Sequence, residues 1–215
     1  MTTVAPFIVG EDVHFESDAH AYVDLDGTRI MSVTQAITIA GLIDYRIVPK
    51  DVLEYAAWRG KMVHQACALL DRGWDLSEYE IPPECEPYIE AYYQFTREMR
   101  FKPDPNWIEQ PIIVTLFGHR VATTPDVVGT IDGLPTVVER KVTSAKHASW
   151  AIQTGGQAMA LRTVGIPIRQ RMAVQLLKTA RYSLDPHDDR GDFDTFADTF
   201  RLAKWKVKNN LANLA

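Results

Sequence analysis

Between residues 108 and 143 the chain changes its period, and this limits the available folds more than any other feature. Ile108 to Leu116 is rich in β-branched residues, and Arg120–Val128 and Thr136–Thr143 are two further short runs of the same kind. Gly129-Thr130-Ile131-Asp132-Gly133 lies between the second and third runs and is dense in turn formers. The pattern predicts a three-stranded meander with a hairpin between its second and third strands. A helix follows from Lys146 to Val164, closed by Gly165 and Pro167. Ile168–Leu177 and Arg181–Leu184 then read as a fourth and a fifth strand. Strands on both sides of a helix exclude an all-helical bundle and predict an α/β fold, a central mixed β-sheet flanked by helices.

The flanks add helices and a small hairpin. Val13–Phe15 and Ala21–Val23 predict paired strands, and Asp26-Gly27 a tight turn into Thr28–Met31. Ser32 and Gln35 have capping-box spacing, opening a short helix through Ile39 that Gly41 stops. A longer helix should run from about Asp51 to Asp71, ending at Gly73. A third should run from Pro82-Pro83 to Met99, with Pro103 and Pro105 breaking the chain again. The last helix starts near Asp192, and Phe193, Phe196, Phe200, Ala203 and Val207 form its buried stripe. No repeat or linker divides the sequence, so residues 1–215 are expected to form one domain, with a helical segment before the sheet.

Composition narrows the setting. No apolar run approaches membrane-spanning length. The residues Met1–Pro6 lack a basic and apolar leader, so a cytoplasmic protein is expected. Two cysteines, Cys67 and Cys85, are too few for a four-cysteine iron–sulfur cluster or zinc site, so no such cluster is expected. The net charge of −5 speaks against a nucleic-acid binder, but its distribution speaks for one. No acid occurs from Arg140 to Leu184, a stretch carrying Arg140, Lys141, Lys146, Arg162, Arg169, Arg171, Lys178 and Arg181. That segment could face a phosphate backbone, with Lys146 a candidate substrate contact.

Three residues suggest chemistry: Asp126 after Pro125, then Glu139 and Lys141 in Val137-Val138-Glu139-Arg140-Lys141. Glu139 and Lys141 alternate on a strand and so share a face, which Arg140 does not. If the hairpin forms, Asp126 falls beside them. Two carboxylates with a main-chain carbonyl suit Mg²⁺, which prefers hard oxygen ligands, and Mn²⁺ could substitute. A nearby ammonium can orient or deprotonate a water and neutralise developing charge.

Pro-Asp, a gap of twelve residues and then Glu-x-Lys resembles the PD-(D/E)XK nuclease superfamily. Arg59-Gly60-Lys61-Met62-Val63-His64 resembles the G-x-x-x-H motif of its RecB-like and phage exonuclease branch, and Gln157 stands where that branch often has a glutamine. The resemblance covers Ser32 to Lys206. It departs from the pattern at Leu161, where a tyrosine is usual, and at Thr123-Thr124-Pro125, which lacks a glycine. It implies a restriction-endonuclease-like core and hydrolysis of DNA phosphodiesters, in phage or prophage recombination or in DNA end processing. It further implies metal ligation by His64, Asp126, Glu139 and the Arg140 carbonyl, and catalysis by Asp126, Glu139 and Lys141. Gln157 and Glu109 would contact the substrate or the site. An annealing protein or helicase would be a partner by analogy. A structure-specific or restriction-type endonuclease on the same fold is one rival, and an inactive DNA- or partner-binding module is another.

Overall fold

The computed structural model describes residues 13–16, 21–24, 26–44 and 47–214. Met1–Pro6, read above for a leader, lie outside them. The chain begins with a small antiparallel sheet of β1 (Val13–Glu16), β2 (Ala21–Asp24) and β3 (Arg29–Ile30). Ser32 then caps α1 (Val33–Ala40). Its hydroxyl accepts from the Gln35 amide at 3.1 Å, and the Gln35 side chain accepts from the Ser32 amide at 2.9 Å. Gly41, with φ of 96°, ends the helix in the left-handed conformation that favours glycine. Two further helices follow, α2 (Lys50–Asp71) and α3 (Glu86–Glu98).

The centre is a five-stranded mixed sheet with helices on both faces. Its strands are β4 (Lys102–Ile108), β7 (Val127–Ile131), β8 (Leu134–Lys141), β9 (Gln170–Leu176) and β10 (Tyr182–Pro186), in the order β10-β9-β8-β7-β4. β8 and β9 are parallel and the other neighbours antiparallel. The parallel pair needs a crossover, which α4 (Ser149–Thr163) supplies. β5 (Ile112–Leu116) and β6 (His119–Thr123) form a separate two-stranded ribbon, and α5 (Gly191–Lys208) closes the chain.

Strand alternation divides the core in two. Val127, Ile131, Val138, Met172 and Val174 point to one face and pack with Val63 and Cys67 of α2 and Tyr92 and Phe95 of α3. Val128 and Val137 point to the other and pack with Leu161 of α4 and Phe196 and Phe200 of α5. Cys67 and Cys85 are both buried and free.

The predicted three-stranded meander is corrected. The run at 108–116 is broken at Glu109, where φ is 50°, so β4 and β5 belong to different sheets. The run at 120–128 breaks likewise at Thr124-Pro125 into β6 and β7. Pro103 and Pro105 do not break the chain. They lie in β4, an edge strand, where a missing N–H removes no ladder bond on the open side. The hairpin between β7 and β8 forms, but Gly129, Thr130 and Ile131 of the predicted turn segment belong to β7, and only Asp132 and Gly133, at φ of 50° and 78°, lie between the paired Ile131 and Leu134.

Candidate active site

The site forms where α2, the ends of β4 and β8, and the chain entering β7 meet. His64 comes from α2. Its Nδ1 lies 3.3 Å from Asp126 Oδ1 and 3.9 Å from Glu109 Oε1. One ligand atom from each of His64, Glu109 and Asp126 lies within 4.8 Å of the others, as a metal ion requires. Glu109 reaches this point because of its left-handed backbone, a conformation that a non-glycine residue adopts at some cost. Its amide is tied to the Asp126 carbonyl at 3.0 Å, which joins the two acids through the backbone as well.

On the α4 face of β8, Glu139 and Lys141 sit side by side, with Lys141 Nζ 3.1 Å from Glu139 Oε1. Two glutamines one turn apart on α4 complete their surroundings. Gln157 donates to Glu139 Oε2 at 2.8 Å, and Gln153 donates to Glu139 Oε1 and accepts from Lys141 Nζ at 2.8 Å. Glu139 is therefore a fully engaged carboxylate and stands outside the His64–Glu109–Asp126 group. The two sets are neighbours through β8: Arg140, between Glu139 and Lys141, donates its amide to Asp126 Oδ2.

Arg140 points to the opposite face, as alternation demands, but more than its carbonyl serves the site. Its amide donates to Asp126 Oδ2 at 2.6 Å. Its guanidinium donates to Glu109 Oε1 at 2.7 Å, to the Asp126 carbonyl at 3.0 Å and to Asp71 Oδ2 at 3.1 Å. Tyr92 of α3 donates to Asp71 at 2.7 Å and lies under the guanidinium, 5.3 Å from ring centroid to Arg140. Sequence reading missed Asp71, Tyr92 and Gln153. Asp71 lies two helical turns after His64, and Gln153 one turn before Gln157, so helical spacing could have flagged both.

The buried charges move their proton affinities in opposite senses. Burial, followed by the Asp126 charge, raises Glu109 from the ordinary carboxylate range to about 7. Burial also opposes ionisation of Asp126, but His64, its hydrogen bond and Arg140 outweigh burial and hold it below the ordinary range. Burial lowers His64, yet Asp126 reverses this and leaves the ring raised. The group thus sets an acid that ionises readily, Asp126, beside one that resists ionisation, Glu109.

Four of the eight cations of the acid-free segment have acidic partners. Arg140 pairs with Asp71 and Glu109, Lys141 with Glu139, and Arg171 with Asp192 at 2.8 Å. Lys146 pairs with Asp185 at 3.0 Å, so this candidate substrate contact already has a partner. Acids distant in sequence fold back onto Arg140, Lys146 and Arg171. At the C-terminal end, Lys206 donates to the Ile39 and Ala40 carbonyls and so caps α1.

Fold and site together define a mixed α/β protein with a His–Glu–Asp group able to hold a divalent cation beside a Glu–Lys pair. No protein-family model and no curated protein matches the chain. Among solved structures, it is similar to a protein from Eubacterium rectale named "Putative exonuclease", at 14% identity and a TM-score of 0.53, over 86% of this chain and 83% of that one. At that identity the likeness shows a shared fold. The structure of SSO0001 aligns at 11% identity with a TM-score of 0.44, over 86% of this chain and 77% of that one, too loosely to carry an argument. No described helix is long and apolar enough to cross a membrane.

Proposed function

We propose that the chain is a divalent-metal-dependent deoxyribonuclease of the PD-(D/E)XK superfamily, RecB-like branch. In this reading it is an exonuclease acting on DNA ends in phage or prophage recombination. The observation that carries the reading is the meeting of His64, Glu109 and Asp126, with the Glu139–Lys141 pair joined to it through the Arg140 amide on Asp126. An imidazole and two carboxylates suit Mg²⁺ or Mn²⁺. When bound, the cation would polarise a phosphodiester and acidify a water.

The chain's own groups supply the rest. His64, Glu109 and Asp126 would hold the cation, with Glu139 and the Arg140 carbonyl on the adjoining end of β8. Lys141, fixed by Glu139 and Gln153, would orient the attacking water and offset the charge that builds as the phosphodiester breaks. Gln157 keeps Glu139 in place from α4. Arg140 aims Asp126 through its amide.

The test is digestion of end-labelled linear DNA with Mg²⁺ or Mn²⁺, run beside a matched circle and Lys141→Ala. Loss of linear DNA by the wild type alone, with the circle spared, supports an exonuclease. Cutting of the circle supports an endonuclease on the same fold. Equal inertness of wild type and variant on both substrates would sink the nuclease reading and leave a binding module.

A further inference from the structure

Gly60 has no structural reason to be a glycine. It lies in the middle of α2, a helix of 22 residues, where glycine costs about 1 kcal/mol relative to alanine. Its φ is not in the left-handed region, so the backbone does not demand it. Packing does not demand it either, since a Cβ added there would meet nothing within 4 Å. The other described glycines of ordinary backbone are different. At Gly129 and Gly156 an added Cβ would stand 2.3 and 2.8 Å from its nearest neighbour, closer than side chains come, and at Gly155 and Gly191 it would make a tight contact at 3.2 Å. Gly60 alone among them faces open space.

Its position gives the open space a meaning. Gly60 lies four residues before His64, hence on the same face of α2 and about 6 Å along the axis from it. His64 is the residue of α2 that meets Asp126 and Glu109. The bare stretch of helix therefore adjoins the candidate metal group. Lys61, the next residue, is exposed and has no carboxylate partner among the described ion pairs.

We propose that Gly60 is the floor of the substrate path, where the sugar–phosphate backbone of a nucleic-acid strand lies directly on the backbone of α2 one turn before His64. The proposal rests on the nuclease reading and names where the strand runs. A side chain at position 60 would hold the strand off the helix and away from the acids, although it would cost the protein nothing. Gly60 is then a positioning residue that acts by what it lacks.

Stability and binding should move in opposite directions. Gly60→Ala should raise the melting temperature by about 2–4 °C, as a helix-favouring change in a chain of this size does. Binding of a fluorescent oligonucleotide, measured by anisotropy in Ca²⁺ to avoid cleavage, should weaken in Gly60→Ala. In Gly60→Leu it should weaken by about tenfold or more. Mn²⁺ affinity, measured by calorimetry without DNA, should stay at the wild-type value in both. If Gly60→Leu binds the oligonucleotide as the wild type does, this inference is overturned and the nuclease reading stands. If the wild type binds no oligonucleotide, both are overturned. If the Leu variant loses Mn²⁺ together with DNA, Gly60 supports the metal group rather than the strand, and the inference again fails.

Discussion

The amide of Arg140 donates to Asp126 Oδ2 at 2.6 Å, and its guanidinium reaches Asp71, Glu109 and the Asp126 carbonyl. One residue between Glu139 and Lys141 thus ties β8 to the acids across the sheet. Its side chain is wholly buried, so it is a cation whose partners cannot be replaced by water.

Arg140→Met should be severely destabilising, by about 3–5 kcal/mol, because it leaves Asp71 buried without its cation. Urea denaturation measures this. Adding Asp71→Asn to Arg140→Met should restore part of the loss, since the stranded charge is then removed. Strict additivity of the two changes would show that the pair is not coupled.

Metal binding should separate the two glutamates. Glu109→Gln should lower Mn²⁺ affinity by about tenfold or more if His64, Glu109 and Asp126 hold the ion. Glu139→Gln should lose cleavage with a smaller change in affinity, because both oxygens of Glu139 are already held by Gln153, Gln157 and Lys141. Calorimetry with Mn²⁺ and cleavage of linear DNA read the two effects. Equal loss of Mn²⁺ in both variants would place Glu139 among the ligands.

His187 should make the fold acid-sensitive. Its Nδ1 meets Thr154 Oγ1 of α4 at 2.8 Å, with Asp185, Arg171 and Asp192 the charges around it. Burial lowers its proton affinity, and Asp185 only partly opposes this. The folded state therefore binds the proton less readily than the unfolded chain. Above the ordinary value of 6.5 both are neutral and the group is silent. As pH falls through that value, stability should fall by at most about 1.4 kcal/mol per pH unit, until the folded ring also charges. Melting curves from pH 7 to 5 should show a shallower decline for His187→Gln than for wild type.

Gly156→Ala should destabilise the protein despite alanine's better helix propensity. An added Cβ would stand 2.8 Å from the Phe196 ring, where α4 packs on α5. The expected loss is about 1–3 kcal/mol, the usual cost of overpacking a filled core. A rise in melting temperature would show that Phe196 can move aside freely.

Much of this was legible in the linear order. The Ser32–Gln35 capping box, the Asp132-Gly133 turn and the aromatic stripe of α5 depend on residues a few positions apart. Local backbone geometry and helical periodicity act over that range. Alternation on β8 likewise put Glu139 and Lys141 on one face and Arg140 on the other.

Tertiary structure decided what depends on residues far apart. The left-handed turn at Glu109 moved that acid from a strand into the group with His64 and Asp126. β4 became an edge strand and so could keep Pro103 and Pro105. Arg140 and Arg171 drew Asp71 and Asp192 onto themselves, because a buried charge needs a partner, and the exposed Lys146 drew Asp185. Sequence fixes which side chains alternate or stack along one element. Only the meeting of elements decides which charges neutralise one another and which remain for a substrate.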